Sequence, residues 1–109
     1  MRRVVIVSLV IPMAMHAYSY KGLNAYKKLC KQCHGPAFKG AAMMYSDEWK
    51  KLFANGAQKL RALHANDKKA LQKFNSNYFQ RRSKYLRRFL MKNARDMGVI
   101  PSCNALNCG

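Results

Sequence analysis

Acidic residues are nearly missing from this chain: four Asp plus Glu stand against 21 Lys plus Arg in 109 residues. The resulting net charge of +17 excludes a strongly cationic partner. It favours an anionic one: nucleic acid, a membrane surface or an acidic protein face. So few carboxylates also leave no convincing pair for general acid–base chemistry, and Asp47, Glu48, Asp67 and Asp96 all read as exposed. No run alternates apolar and polar residues between turns, so the strand signal is weak. There is no internal repeat and no low-complexity segment. Half of the residues are apolar, which excludes a disordered basic tail. The length permits one domain and excludes a barrel of eight βα units.

A long hydrophobic run is missing too. Val4 to Ala14 is apolar apart from Ser8, about eleven residues, against the roughly 20 that a spanning helix needs. It follows the positive start Met1-Arg2-Arg3 and precedes small residues at Ala17 and Ser19. This pattern predicts a secretory signal over residues 1–19, cleaved after Ser19, with a retained anchor as the alternative. The mature domain is then 20–109, exported to the periplasm. Loss of Arg2 and Arg3 lowers the charge from +17 to +15 on 90 residues. All four Cys remain, with His34 and His64 as the only histidines and Met43, Met44, Met91 and Met97 as the only methionines. A chain of this size buries only roughly 60–65% of its surface, so its core is modest. Export places its thiols in an oxidising compartment.

Helical spacing recurs along the mature chain, predicting an all-α fold. Lys21 to Cys33 carries Leu23, Tyr26, Leu29, Cys30 and Cys33 on one stripe, ended by Gly35-Pro36. Phe38 to Tyr45 reads as a loop. Ser46 is a candidate N-cap for a helix whose Trp49, Leu52 and Phe53 share a face, stopped by Asn55-Gly56. Ala57 to His64 forms a short helix with Leu60 and Leu63 inward. Asn66 caps another, Asp67 to Phe74, burying Leu71 and Phe74. After a break at Asn75-Ser76-Asn77, the longest helix spans Tyr78 to Met97. Phe79, Leu86, Phe89, Leu90, Ala94 and Met97 lie on one face, with basic residues over the rest. Gly98 ends it.

Cys30-Lys31-Gln32-Cys33-His34 is a C-x-x-C-H sequence, the attachment site of c-type haem. Two thiols add across the porphyrin's two vinyl groups to form thioethers. Two intervening residues on a helical turn space the sulfurs for that reaction, and the next residue offers its imidazole to the iron as proximal ligand. A redox dithiol and half of a zinc site are the alternatives. The dithiol has no need of His34. A zinc site needs two more ligands, and His64 with a tail cysteine matches known spacings poorly.

Gly22-x-x-x-Tyr26-x-x-x-Cys30-x-x-Cys33-His34-Gly35 resembles the N-terminal signature of class I c-type cytochromes. The resemblance implies a small helical fold wrapped around one covalently bound haem c. It also implies that the last helix, with Tyr85 and Phe89, crosses the first near Gly22 and Tyr26. It covers residues 20–36 and 78–97, and the segment 37–77 only as short helices. The family usually draws its sixth iron ligand, a methionine, from a loop before the last helix. Here no Met lies between residues 45 and 90, and no Met-Pro occurs. Met44 or Met43, before the helix beginning at Ser46, is one candidate, Met44 being nearer the helix start. His64 is the second. An open site is the third. Met91 and Met97 read as packing.

Cys103 and Cys108 have no following histidine and read as a small disulfide loop in the tail. Export removes nucleic acid as the partner, leaving the acidic faces of redox proteins or an anionic membrane surface. The expected function is a monohaem electron carrier and not an enzyme, a free shuttle or an oxidoreductase subunit. Tyr26, Leu29, Trp49, Phe79, Leu86 and Phe89 form the expected apolar wall. The rivals are a haem sensor that binds gases or other ligands at an open sixth site, and a non-haem cationic secreted module with two disulfides.

Overall fold

The computed structural model describes residues 14–97, and their side chains from residue 20 onward. The described chain is all-helical. Six α-helices follow in order: α1 Ala14–Leu29, α2 Lys31–His34, α3 Ala37–Ala41, α4 Ser46–Leu63, α5 Lys68–Phe74 and α6 Asn77–Lys92, closed by a 3-10 turn, Arg95–Met97. No strand occurs among the described residues. The first 13 residues of the expected signal lie outside them, and the proposed cleavage point after Ser19 falls within α1. Among the described residues no helix is long and apolar enough to cross a membrane.

The frame is α1 crossed by α6, at the place anticipated from Gly22 and Tyr26. Helices pack this closely only where one side chain is small. A Cβ on Gly22 would lie 2.6 Å from both Phe89 Cβ and the Tyr85 carbonyl oxygen. One turn on, the Tyr26 ring packs on Phe89, centroids 6.1 Å apart. The core joins Tyr26, Leu86, Phe89 and Leu90 of this crossing to Trp49, Phe53 and Leu60 of α4 and to Phe74 and Phe79.

Several local expectations are corrected. Residues 38–45 are not all loop: α3 forms behind Pro36 and buries Ala37, Gly40 and Ala41. Ser46 is not the N-cap of α4. Tyr45 holds that position without a side-chain cap. The carboxylate of Asp96, 50 residues away, instead accepts from the Ser46 backbone N–H at 2.8 Å and from its hydroxyl at 2.7 Å. Asp67, not Asn66, caps α5, accepting from the Ala70 N–H at 3.1 Å. The last helix ends at Lys92, where Asn93 turns its amide back onto the Phe89 carbonyl at 2.9 Å. Met97 is therefore 51% exposed instead of packed on the helix face.

Asn55-Gly56 does interrupt α4. Asn55, Gly56 and Ala57 all adopt positive φ, at 55°, 65° and 59°. Three successive left-handed residues rotate the second half of α4 away from the first. Ala57 holds this conformation while buried, where a non-glycine residue bears a strain of about 1–2 kcal/mol. The turn aims Leu60 inward and carries His64 toward α2.

Candidate functional site

The C-x-x-C-H sequence begins where α1 gives way. The Cys30 carbonyl accepts from both the Cys33 N–H at 3.2 Å and the His34 N–H at 2.9 Å, so the five residues close into one tight turn. The buried Tyr26 hydroxyl donates to the Gly35 carbonyl at 2.9 Å and fixes the end of that turn. Burial pushes the Tyr26 hydroxyl up to about 12, so it stays a donor across ordinary pH.

This turn borders a cavity of about 690 Å³, within the range of about 300–1,000 Å³ typical of ligand sites. Cys30, Cys33 and His34 line one part of it, Met43 and Met44 another, and His64, at the end of α4, a third. Every residue singled out as a haem attachment or ligand candidate therefore borders the same space. The remaining lining is mainly apolar. Tyr26, Leu29, Trp49 and Leu86 contribute as expected, joined by Leu52, Phe53, Leu60, Leu63, Phe74 and Leu90. Leu63 is 65% exposed although it was expected inside, because it stands on the cavity's rim. Phe79 and Phe89 do not line the cavity. Phe79 stacks behind it on Phe53 and Phe74, and Phe89 seals the α1–α6 crossing.

Polar groups at the cavity have defined partners. The buried Trp49 indole donates to the Ala41 carbonyl at 2.8 Å. Lys73 on α5 reaches the Leu29 carbonyl at 3.4 Å, tying α5 to the end of α1. Burial pushes the Cys30 thiol up to about 12, with Lys73 pulling the other way and Cys33 adding to the rise. Such a thiol is protonated and is not an activated nucleophile. Partial desolvation, and then the neighbouring His64, hold the pKa of the surface-exposed His34 below its ordinary value. The neutral imidazole, the form that ligates metals, is thereby favoured.

The ring of His64 lies 6.1 Å from that of His34, their planes at 86°. The His64 ring also meets the Phe74 ring, centroids 5.0 Å apart. Met44 is half-buried against the core, and Met43 is 36% exposed. Arg95 holds the backbone of their segment: its guanidinium donates to the Ala42 and Met43 carbonyls and its N–H to that of Met44. This clamp and the Asp96 cap were missed by sequence reasoning, because both join residues more than 50 positions apart or nearly so. Among the described residues no group of three or more His, Cys, Asp or Glu converges as a metal-holding cluster. Cys103 and Cys108 lie outside the described residues. Comparison of this chain with protein-family models, curated proteins and solved structures finds no match.

Proposed function

We propose that this chain is a small periplasmic c-type cytochrome that carries single electrons on one covalently held haem. One observation carries the reading: two cysteines and a histidine on a single tight turn border a large, mainly apolar cavity, with a second imidazole beside the first. The donor set fits the group. Thiols suited to two thioether links, a neutral imidazole and an apolar enclosure are what haem c requires. When bound, the haem would supply an iron that cycles between ferrous and ferric states, taking one electron from a donor and passing it to an acceptor.

The chain's own residues have distinct tasks. Cys30 and Cys33 would anchor the porphyrin, each S–H adding across one vinyl group so that sulfur bonds carbon and the hydrogen stays on the adduct. His34 would bind the iron. The walls from α4, α5 and α6 exclude water and so tune the potential. The close α1–α6 crossing at Gly22 supports the likeness to class I cytochromes. Exposed Arg81, Lys84, Arg87 and Lys92 along α6 offer a cationic face to acidic redox partners.

The test is export of the full chain in a host able to attach c-type haem. A haem stain that survives denaturing electrophoresis, a c-type absorption spectrum and a one-electron redox titration are expected. Absence of covalent haem would refute the reading and favour a cationic secreted module.

A further inference from the structure

We propose that His64 is the second axial ligand of this haem, in place of Met44 or Met43. The assignment rests on the haem reading above. Its first support is separation. Two imidazoles bound through ring nitrogens on opposite sides of one metal, at about 2.0–2.1 Å each, have centroids about 6 Å apart. The His34 and His64 centroids are 6.1 Å apart.

The second support is the direction of the His64 lone pair. Its Nδ1 lies 2.7 Å from the Leu60 carbonyl oxygen. A carbonyl only accepts, so Nδ1 carries the proton and Nε2 is the nitrogen left to bind a metal. A ligating histidine is held in this way by its second nitrogen. Leu60 is thus a positioning residue, acting through its backbone.

The third support is rigidity. The His64 N–H donates to the Arg61 carbonyl at 3.0 Å. Arg61 in turn bonds the carbonyls of Gly56 and Phe74, each at 3.0 Å, and the side-chain oxygen of Asn75. One guanidinium therefore links the left-handed turn, the start of the α4 segment bearing His64, and the end of α5. The Phe74 ring also meets the imidazole, centroids 5.0 Å apart. Met44, partly buried against the core, and Met43, 36% exposed, border the same cavity and are the rival ligands. A second imidazole in place of a thioether makes the protein a low-potential carrier.

The experiment uses the full chain, exported and haem-loaded. Absorption and electron paramagnetic resonance spectra are recorded for the wild type, for His64→Gly, and for a variant carrying Met43→Leu with Met44→Leu. A low-spin wild type without the near-infrared band of an iron–thioether bond is expected. His64→Gly turns high-spin, its ferrous form binds carbon monoxide, and added imidazole restores the low-spin spectrum. The methionine variant stays low-spin. A near-infrared thioether band that disappears in the methionine variant overturns the assignment. So does a high-spin wild type that His64→Gly leaves unaltered. If His64→Gly does not accumulate, the wild-type band and resonance spectrum decide between the same outcomes. A chain without covalent haem removes the haem reading, and the assignment with it.

Discussion

Gly40→Ala tests whether the turn bearing the cysteines is locked by Tyr26. Gly40 lies in α3, and a Cβ there would overlap the Tyr26 hydroxyl and the adjoining ring carbons. The ring has little room to retreat. It is 1% exposed, it packs on Phe89, and its hydroxyl is bonded to the Gly35 carbonyl. Forcing a methyl into such a place costs about 1–3 kcal/mol. Losing the Tyr26 bond adds about 0.5–1.5 kcal/mol. Alanine returns roughly 0.5–1 kcal/mol over glycine inside a helix. A net loss of about 0.5–4 kcal/mol follows, which lowers the Tm of a domain this size by about 4–8 °C per kcal/mol. Thermal unfolding of the protein, followed by far-UV circular dichroism, measures it. Helix propensity alone predicts the opposite sign, so a Tm that rises or stays constant refutes the packing argument. A cycle with Tyr26→Phe sharpens the test. Removing the hydroxyl relieves part of the overlap, so the double variant loses less than the two single losses added together.

Asp96→Asn probes the long-range cap. The Ser46 hydroxyl and N–H, bonding the Asp96 carboxylate, hold its pKa below the ordinary value. A folded pKa below the unfolded one of about 3.9 contributes stability that is complete above the unfolded value and lost as pH falls through the folded one. The wild type should therefore exceed Asp96→Asn in Tm at neutral pH, with the gap closing in acid; a gap independent of pH would count against the cap. Phe79→Ala removes a 2%-exposed ring that packs on Phe74 and Phe53 outside the cavity. It should cost about 3–5 kcal/mol in denaturant titration, while the haem absorption bands stay in place. Lys84→Glu with Arg87→Glu reverses two exposed charges on α6. If the protein carries electrons as proposed, the bimolecular rate of transfer to an acidic partner should fall in the variant, and in the wild type it should fall with added salt. Rates indifferent to both would deny this face a docking role.

What could be read from the sequence was what lies close together in it. The C-x-x-C-H turn needs five consecutive residues, and the helical stripes around Tyr26 and Leu86 need only a regular spacing. The break at Asn55-Gly56 was likewise written in two residues that tolerate positive φ. Features that join distant segments were not legible. Nothing near Ser46 reveals that Asp96 completes its helix end, and a good N-capping residue there pointed to the wrong partner. Leu63 looks like a core residue by spacing alone; its exposure follows from a cavity that exists only after α2, α4 and α5 have met. The same holds for His64. Its position thirty residues beyond His34 allowed it as a ligand without favouring it over the methionines. The carbonyl that orients it belongs to its own helix four residues back, but the neighbouring imidazole does not.

The hollow also bears on why the chain folds. A chain of this size has little apolar surface to bury, and here a large share of it faces one cavity instead of other side chains. Trp49, Phe53, Leu60, Phe74, Leu86 and Leu90 are each buried by protein on one side and border the cavity on the other. Packing contacts are forfeited wherever an apolar wall has no atoms opposite it. A flat apolar group held in that space would make those contacts, and one anchored covalently would do so at no entropic cost of capture. Ligand binding that favours only the folded state adds directly to stability. The chain without its attached group should therefore melt well below the loaded protein, with a broader transition, because α4 and α5 lose the surface they share with α1 and α6. Cys30→Ser with Cys33→Ser makes that comparison. Equal Tm values for this variant and the wild type would mean that the walls are self-supporting, and that the cavity is not the place where this small protein completes its core.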